Sequence, residues 1–250
     1  MGAGPWGPGA TVDYRAMLPI LLLFDIDGTL LRTSGAGMRA MENVGRRLFG
    51  PKFTFAGVAA AGNLDPIIFA TAARTHGLKN HDEHHERFRQ AYLDELEEEL
   101  RRAGPEVRAM PGVIDVVKSL VERQKNRGDV VVGLLSGNYA QAAPIKLLAV
   151  GLDPEWFSLS VFGDDGATRE DLVAEGFRRY ARQFGSRPQP QRVIVIGDTP
   201  RDIACAKAHH CRVLAVATGP FDGATLRAAG ADEVAADLSD PAVLWQMIGD

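Results

Sequence analysis

Asp25 and Asp27 stand one residue apart at the end of an apolar run, Ile20 to Phe24, and Gly28-Thr29-Leu30 follows at once. Two carboxylates so close repel each other unless a cation sits between them or one holds a proton. Both remedies suit phosphoryl transfer with Mg²⁺, where one carboxylate attacks phosphorus and the other manages a proton. A second acidic pair, Gly197-Asp198-x-x-x-Asp202, follows another apolar run, and Pro200 within it suits the first turn of a helix. A third apolar run, Val130 to Leu135, ends in Ser136-Gly137-Asn138. A hydroxyl with free backbone N–H groups can hold a phosphate oxygen without adding charge.

Each of these groups needs a strand behind it. Short apolar runs bounded by turn residues suit strands buried on both faces of a parallel sheet. Open α/β sheets bind ligands at the carboxyl ends of such strands. Five runs fit: Ile20 to Phe24, Val130 to Leu135, Leu159 to Phe162, Val193 to Ile196 and Arg212 to Val216. Four of them end in polar residues, the fourth group being Asp164 and Asp165 after Leu159 to Phe162. Helical segments lie between the strands, which predicts a doubly wound α/β sheet.

The hexapeptide Asp25-x-Asp27-Gly28-Thr29-Leu30, placed after a buried strand, resembles the nucleophile motif of the haloacid dehalogenase-like hydrolase superfamily. Ser136 at a strand end is similar to that family's second motif, and Gly197-Asp198-x-x-x-Asp202 to its metal-binding fourth. The resemblance implies a Rossmann-like core with an all-α cap inserted after the first motif, as in phosphoglycolate phosphatase-like enzymes. It also implies Asp25 as phosphoryl-accepting nucleophile and Asp27 as general acid/base. The implied Mg²⁺ ligands are Asp25, the backbone carbonyl of Asp27, and Asp198, with Asp202 acting through a water. Ser136, Gly137 and Asn138 are the implied phosphate-binding loop. The family's third motif is usually a Lys before a helix, and none of that form lies between Asp153 and Val193. Arg169 is the substitute, a catalytic and phosphate-binding cation; Lys146 ranks below it because it lies inside a helix.

The implied domains are a flexible Gly/Pro-rich leader over 1–17, a catalytic core over 18–31 and 110–250, and a helical cap over 32–109. Within the cap, Ser34 is expected to cap the first helix, and Asp65 the second, with Pro66 in its first turn. Asn63 and Asp65 are candidate substrate contacts. His81, His84 and His85, and likewise Glu97-Glu98-Glu99, read as a solvated helix face rather than a metal site. Pro105 to Pro111 reads as a linker back to the core.

Composition narrows the function classes. The chain has 250 residues, 46% hydrophobic and 24% charged, with a formal net charge of -4. That balance speaks against a nucleic-acid binder, which needs a strongly basic face. Leu18 to Phe24 falls far short of the ~20 residues of a membrane helix. The leader lacks the basic and apolar regions of a signal peptide. Cys205 and Cys211 read as small core residues in a reducing compartment, so cytoplasm is the expected location.

The resulting expectation is a Mg²⁺-dependent phosphomonoester hydrolase, monomer or homodimer, with a small phosphorylated metabolite as its partner. Phosphoglycolate, a sugar phosphate and a nucleoside monophosphate are all compatible substrates. A sugar-phosphate mutase of the same fold and a non-catalytic phosphate-binding relative are the alternatives. A dehalogenase is disfavoured because Asp27 is present.

Overall fold

The computed structural model describes residues 18–79 and 81–249; the leader expected over 1–17 lies outside the described residues. Six parallel strands form the sheet: β1 (Ile20–Phe24), β4 (Val130–Leu135), β5 (Leu159–Val161), β6 (Val193–Gly197), β7 (Arg212–Val216) and β8 (Glu233–Ala235). Their order across the sheet is β5-β4-β1-β6-β7-β8. The chain therefore runs outward from β1 to one edge, then returns to the far side of β1 and runs to the other. β1 and β6, the two strands at this reversal, pair from Leu21 opposite Val193 to Phe24 opposite Ile196. Such a reversal opens a crevice at the carboxyl ends of its two strands.

Strand periodicity divides the core into two layers. Leu22, Phe24, Val132, Leu134 and Ile194 point to one face and pack with α4 (Val113–Arg127) and α9 (Ala242–Ile248). Leu21, Leu23, Val131, Val193 and Val195 point to the other and pack with α6 (Arg169–Phe184) and α7 (Pro200–Ala208). Each fully buried aliphatic side chain contributes about 1.5–3 kcal/mol of burial free energy. That is why these strands are apolar without alternation. α5 (Ala142–Ala149) and α8 (Gly223–Ala228) complete the crossovers.

Among the described residues, three α-helices fill the insertion between Arg32 and Arg108: α1 (Ala36–Phe49), α2 (Asp65–Thr75) and α3 (His81–Ala103). They surround their own apolar cluster, with Val44, Phe69, Phe88, Tyr92 and Leu96 at its centre and Tyr139 reaching in from the core. The chain leaves and re-enters the core through one antiparallel pair, β2 (Leu31–Arg32) against β3 (Arg108–Ala109). This pair holds the two ends of the insertion side by side.

Several local expectations are corrected. The strand β8 closes one edge of the sheet, where its short, partly exposed sequence gave no apolar run. β3 lies within what reads as a linker. Ser34 does not cap α1: Gly35 holds that position without a side-chain cap, and the Ser34 hydroxyl donates to the Glu106 carbonyl instead. Asp65 is the first residue of α2 rather than its cap, which is Leu64. His84 and His85 turn toward the apolar cluster, His85 stacking on Phe69 and bonding the Tyr139 hydroxyl at 2.9 Å. Glu99 is buried between Arg39 and Arg102 rather than solvated. The two cysteines are buried and free, as expected of core residues.

Candidate active site

At the end of β1 the ladder continues one residue further, the Asp25 N–H donating to the Ile196 carbonyl. Asp25 is thus carried by the sheet itself, and it is buried. The chain then turns at Gly28, whose φ is +82°. A Cβ there would lie 2.4 Å from Asp198 Oδ2, so both the backbone conformation and the close approach demand glycine. Thr29 donates its hydroxyl to Asp198 Oδ1 at 3.1 Å. The Asp-Gly-Thr turn therefore seats the carboxylate at the end of the neighbouring strand β6.

Asp25, Asp198 and Asp202 each place a carboxylate oxygen within 4.8 Å of the others. Burial, joined by the neighbouring carboxylates Asp202 and Asp27 and opposed by Arg169, pushes Asp25 up to about 6. Burial, with Asp25 and Asp202 beside it, pushes Asp198 up to about 8. Crowded acids of this kind are relieved by a cation. The donors are all hard oxygens, the set that Mg²⁺ prefers over soft metals. The residues present therefore fit a hard divalent cation. Asp202 differs from the other two. Its Oδ2 accepts from the Thr199 N–H at 3.0 Å and the Thr199 hydroxyl at 2.6 Å, closing the start of α7, while its Oδ1 accepts from Arg169. Both its oxygens are engaged, which leaves Asp25 and Asp198 as the freer donors.

Two buried cations flank the acids. Arg169, the first residue of α6, places Nη2 3.0 Å from Asp25 Oδ1 while also pairing with Asp202. Burial alone would lower this guanidinium; Asp202 and Asp25 hold it well above its ordinary value. Lys146 extends from α5 to Asp27 Oδ2 at 2.6 Å and also donates to Asn138 Oδ1. Burial again opposes its charge, and Asp27 and Asp65 outweigh that, raising it. Its place inside a helix is no obstacle, because α5 runs beside the crevice. Lys146 is the one charged residue in the apolar helix Ala142–Ala149. A buried charge of this kind requires a partner, and that was the readable signal for its role at the site.

The loop after β4 completes the arrangement. Asn138 Nδ2 donates to Asp27 Oδ2 and to the Ser136 hydroxyl, each at 2.8 Å. Asp65 accepts the Tyr139 N–H at 2.9 Å, and burial pushes its carboxyl up to about 7. A cavity of about 450 Å³ gathers these groups. Asp25, Asp27, Ser136, Gly137, Asn138, Arg169 and Asp198 line it, as do Asn63, Asp65 and Lys146. Asp202 stands behind the wall, fully buried. Asn63 turns its amide oxygen to the Leu64 N–H and its amide nitrogen to the Ala59 carbonyl. Thr29 and Gly219, not anticipated from sequence, both bear on Asp198.

A doubly wound sheet with an acidic cluster and two cations at its switch point, and helices inserted behind the first strand, defines a class of Rossmann-like α/β proteins. The chain belongs to the haloacid dehalogenase-like hydrolase family, whose model matches residues 21–210, a span that includes every acid and cation of the site from Asp25 to Asp202. No curated protein matches the chain. Solved structures agree on the fold. CbbY from Rhodobacter sphaeroides in complex with phosphate is similar at 18% identity and a TM-score of 0.65, over 90% of this chain and 96% of that one. A predicted phosphoglycolate phosphatase from Haemophilus somnus 129pt is similar at 16% identity and a TM-score of 0.65, over 90% and 97%. A hydrolase from Pseudomonas syringae reaches 20% identity and a TM-score of 0.64, over 92% and 100%.

Proposed function

We propose that the protein is a Mg²⁺-dependent phosphomonoester hydrolase acting on a small phosphorylated metabolite. The observation that carries this reading is the convergence of Asp25, Asp27 and Asp198 with Arg169 and Lys146 on one cavity. Family membership supports hydrolysis, and the hard-oxygen donor set supports Mg²⁺.

In this reading Asp25 is the nucleophile. Arg169 anchors its Oδ1, which fixes the carboxylate and keeps it ionised. Attack in line on phosphorus gives an aspartyl phosphate at Asp25. Asp27 is anchored through Oδ2 by Lys146 and Asn138. It donates a proton to the leaving alkoxide, then takes one from the water that cleaves the intermediate. Ser136 and the N–H groups of Gly137 and Asn138 receive the phosphoryl oxygens, alongside Arg169 and Lys146. Asp25, the Asp27 carbonyl and Asp198 would hold Mg²⁺, with Asp202 ordering a water beside them, and the ion would supply charge neutralisation at the phosphoryl group. Positioning and electrostatics are most of what phosphoryl transfer asks of a protein. The inserted segment 32–109 acts as a cap whose closure excludes water.

No helix among the described residues is long and apolar enough to cross a membrane. The free buried cysteines favour a reducing compartment, and we place the enzyme in the cytoplasm.

The test is phosphate release from a panel of phosphomonoesters with and without Mg²⁺, comparing the parent with Asp25→Asn. Activity that needs Mg²⁺ and falls by about 10³-fold or more in the variant is expected. Equal activity in both removes the hydrolase reading, and movement of label between phosphates without free phosphate turns it to a mutase.

A further inference from the structure

Among the described residues, three cationic residues line the cavity: Arg32, which is exposed, and Lys146 and Arg169, which are buried. Two are committed, Lys146 to Asp27 and Asn138, and Arg169 to Asp25 and Asp202. Arg32 is different. Its backbone is held in β2 opposite Arg108, yet its guanidinium has no carboxylate partner and no hydrogen bond among the described residues. A permanent cation beside a cavity that already satisfies its other two cations is available to a ligand.

The wall next to Arg32 agrees with this. Thr33, Gly35, Gly37 and Met38 line the same cavity. α1 begins there with no side-chain cap and no acidic residue in its first turn. The Ala36 N–H reaches the Thr33 carbonyl, whereas those of Gly37 and Met38 have no backbone acceptor among the described residues. Free N–H groups at the start of a long helix add positive potential to that of Arg32. Met41, Ile68 and Tyr92 supply an apolar wall elsewhere in the cavity.

We infer that Arg32 receives a second anionic group, carboxylate or phosphate, carried on the alcohol half of the substrate. This rests on the hydrolase reading and adds the substrate's charge to it. The transferring phosphoryl group is served by Arg169, Lys146 and the Ser136 loop. Arg32 is left for a group further along the molecule, and its planar fork suits a carboxylate or phosphate. The preferred substrates are therefore phosphomonoesters bearing a negative charge beyond the one being hydrolysed.

The test compares esters of matched length: 2-carboxyethyl phosphate, glycerate- or glycerol-type bisphosphates, and neutral propyl phosphate, all with Mg²⁺. The parent is expected to prefer the anionic esters by about tenfold or more in kcat/KM. Arg32→Gln collapses that ratio toward unity, chiefly through KM, and Arg32→Lys keeps part of it. The balance between the carboxylate and phosphate arms identifies which anion Arg32 favours. No preference in the parent, or an equal loss on neutral and anionic esters in Arg32→Gln, overturns the inference. A second measurement is independent of turnover: thermal shift with Mg²⁺ and either 3-phosphonopropionate or propylphosphonate. The parent is expected to be stabilised more by the former, and Arg32→Gln to show no difference. Should no ester be hydrolysed, the hydrolase reading falls, while this comparison still decides for or against Arg32.

Discussion

Lys146 Nζ lies 2.6 Å from Asp27 Oδ2, joining residues 119 apart in the chain. It is the counterpart of the Arg169–Asp25 pair, so each acid of the Asp25-x-Asp27 motif has its own buried cation. Division of labour follows: Arg169 holds the proposed nucleophile and Lys146 the proposed acid/base.

Lys146→Met is expected to lower kcat for phosphate release by about 10²-fold or more, because a fixed positive charge beside the transferring group is lost. Stability should fall as well, by about 1–3 kcal/mol, since Asn138 Oδ1 and Asp27 lose a donor. Water reaches Asp27, whose side chain is 41% exposed, so the full cost of stranding a buried charge is not expected. Urea unfolding and a phosphate-release assay measure the two effects. Parent-like turnover would remove Lys146 from the machinery.

The raised acids predict how pH and metal act together. Asp25 at about 6 and Asp198 at about 8 both lie above their ordinary 3.8. Between those limits the folded protein holds more protons than the unfolded chain, so stability falls as pH rises. Their contribution is fully present below about pH 3.8 and is lost as pH climbs through about 6 and then about 8. Mg²⁺ binding requires the ionised forms, so affinity should rise through the same window. The thermal shift on adding Mg²⁺ is expected to be larger at pH 8 than at pH 5.5. In Asp198→Asn the Mg²⁺-induced shift should be strongly reduced at both. A shift independent of pH would argue that these acids do not hold the ion.

Much of the core was legible because its signals are local. β1, β4 and β6 are runs of buried apolar residues with no competing pattern, and Asp25, Ser136 and Asp198 sit directly at their respective ends. What escaped depended on tertiary partners. β8 has only three residues and an exposed first one, so it is a strand by pairing with β7 rather than by pattern. Asp65 has the residue type and position of a cap, but the Tyr139 N–H competes for its carboxylate across 74 residues. His85 reads as part of a charged face until Phe69 and Tyr139, both distant in sequence, supply its surroundings. The contact of Lys146 with Asp27 was not legible because a helical position does not say which crevice the helix borders.

Asp65 links the inserted helices to the loop after β4. Its N–H donates to the Gly137 carbonyl at 2.7 Å, and its carboxylate accepts the Tyr139 N–H. Asp65→Ala leaves a buried N–H unpaired and is expected to cost about 1–3 kcal/mol. Asp65→Asn keeps an acceptor and removes a buried charge. Because burial pushes Asp65 up to about 7, the parent's own carboxylate becomes costlier as pH rises from about 3.8 through that value. The Asn variant should therefore gain on the parent over that range in urea unfolding at pH 5 and pH 8. Equal losses in the Ala and Asn variants would deny the Asp65–Tyr139 bond its role.

Gly137 shows how tightly the inserted segment approaches the proposed phosphate loop. A Cβ there would lie 2.0 Å from the Asn63 carbonyl oxygen and 3.2 Å from Leu64 Cα. Both are backbone atoms, so no side chain can swing aside. Gly137→Ala must push the 63–65 segment away from the loop or tilt the loop itself. Either movement disturbs the Asp65 contacts and the N–H groups assigned to phosphate. The expected result is a loss of about 1–3 kcal/mol, the range for overpacking, with a raised KM. Gly176→Ala is the matched control: it lies within α6, its nearest prospective contact is 3.7 Å away, and alanine favours the helix by about 0.8–1.0 kcal/mol. Its stability should hold or rise with KM unchanged. If Gly137→Ala behaved like Gly176→Ala in urea unfolding and in KM, the segment 63–65 would be free to move off the loop, and closure there would not shape the phosphate site.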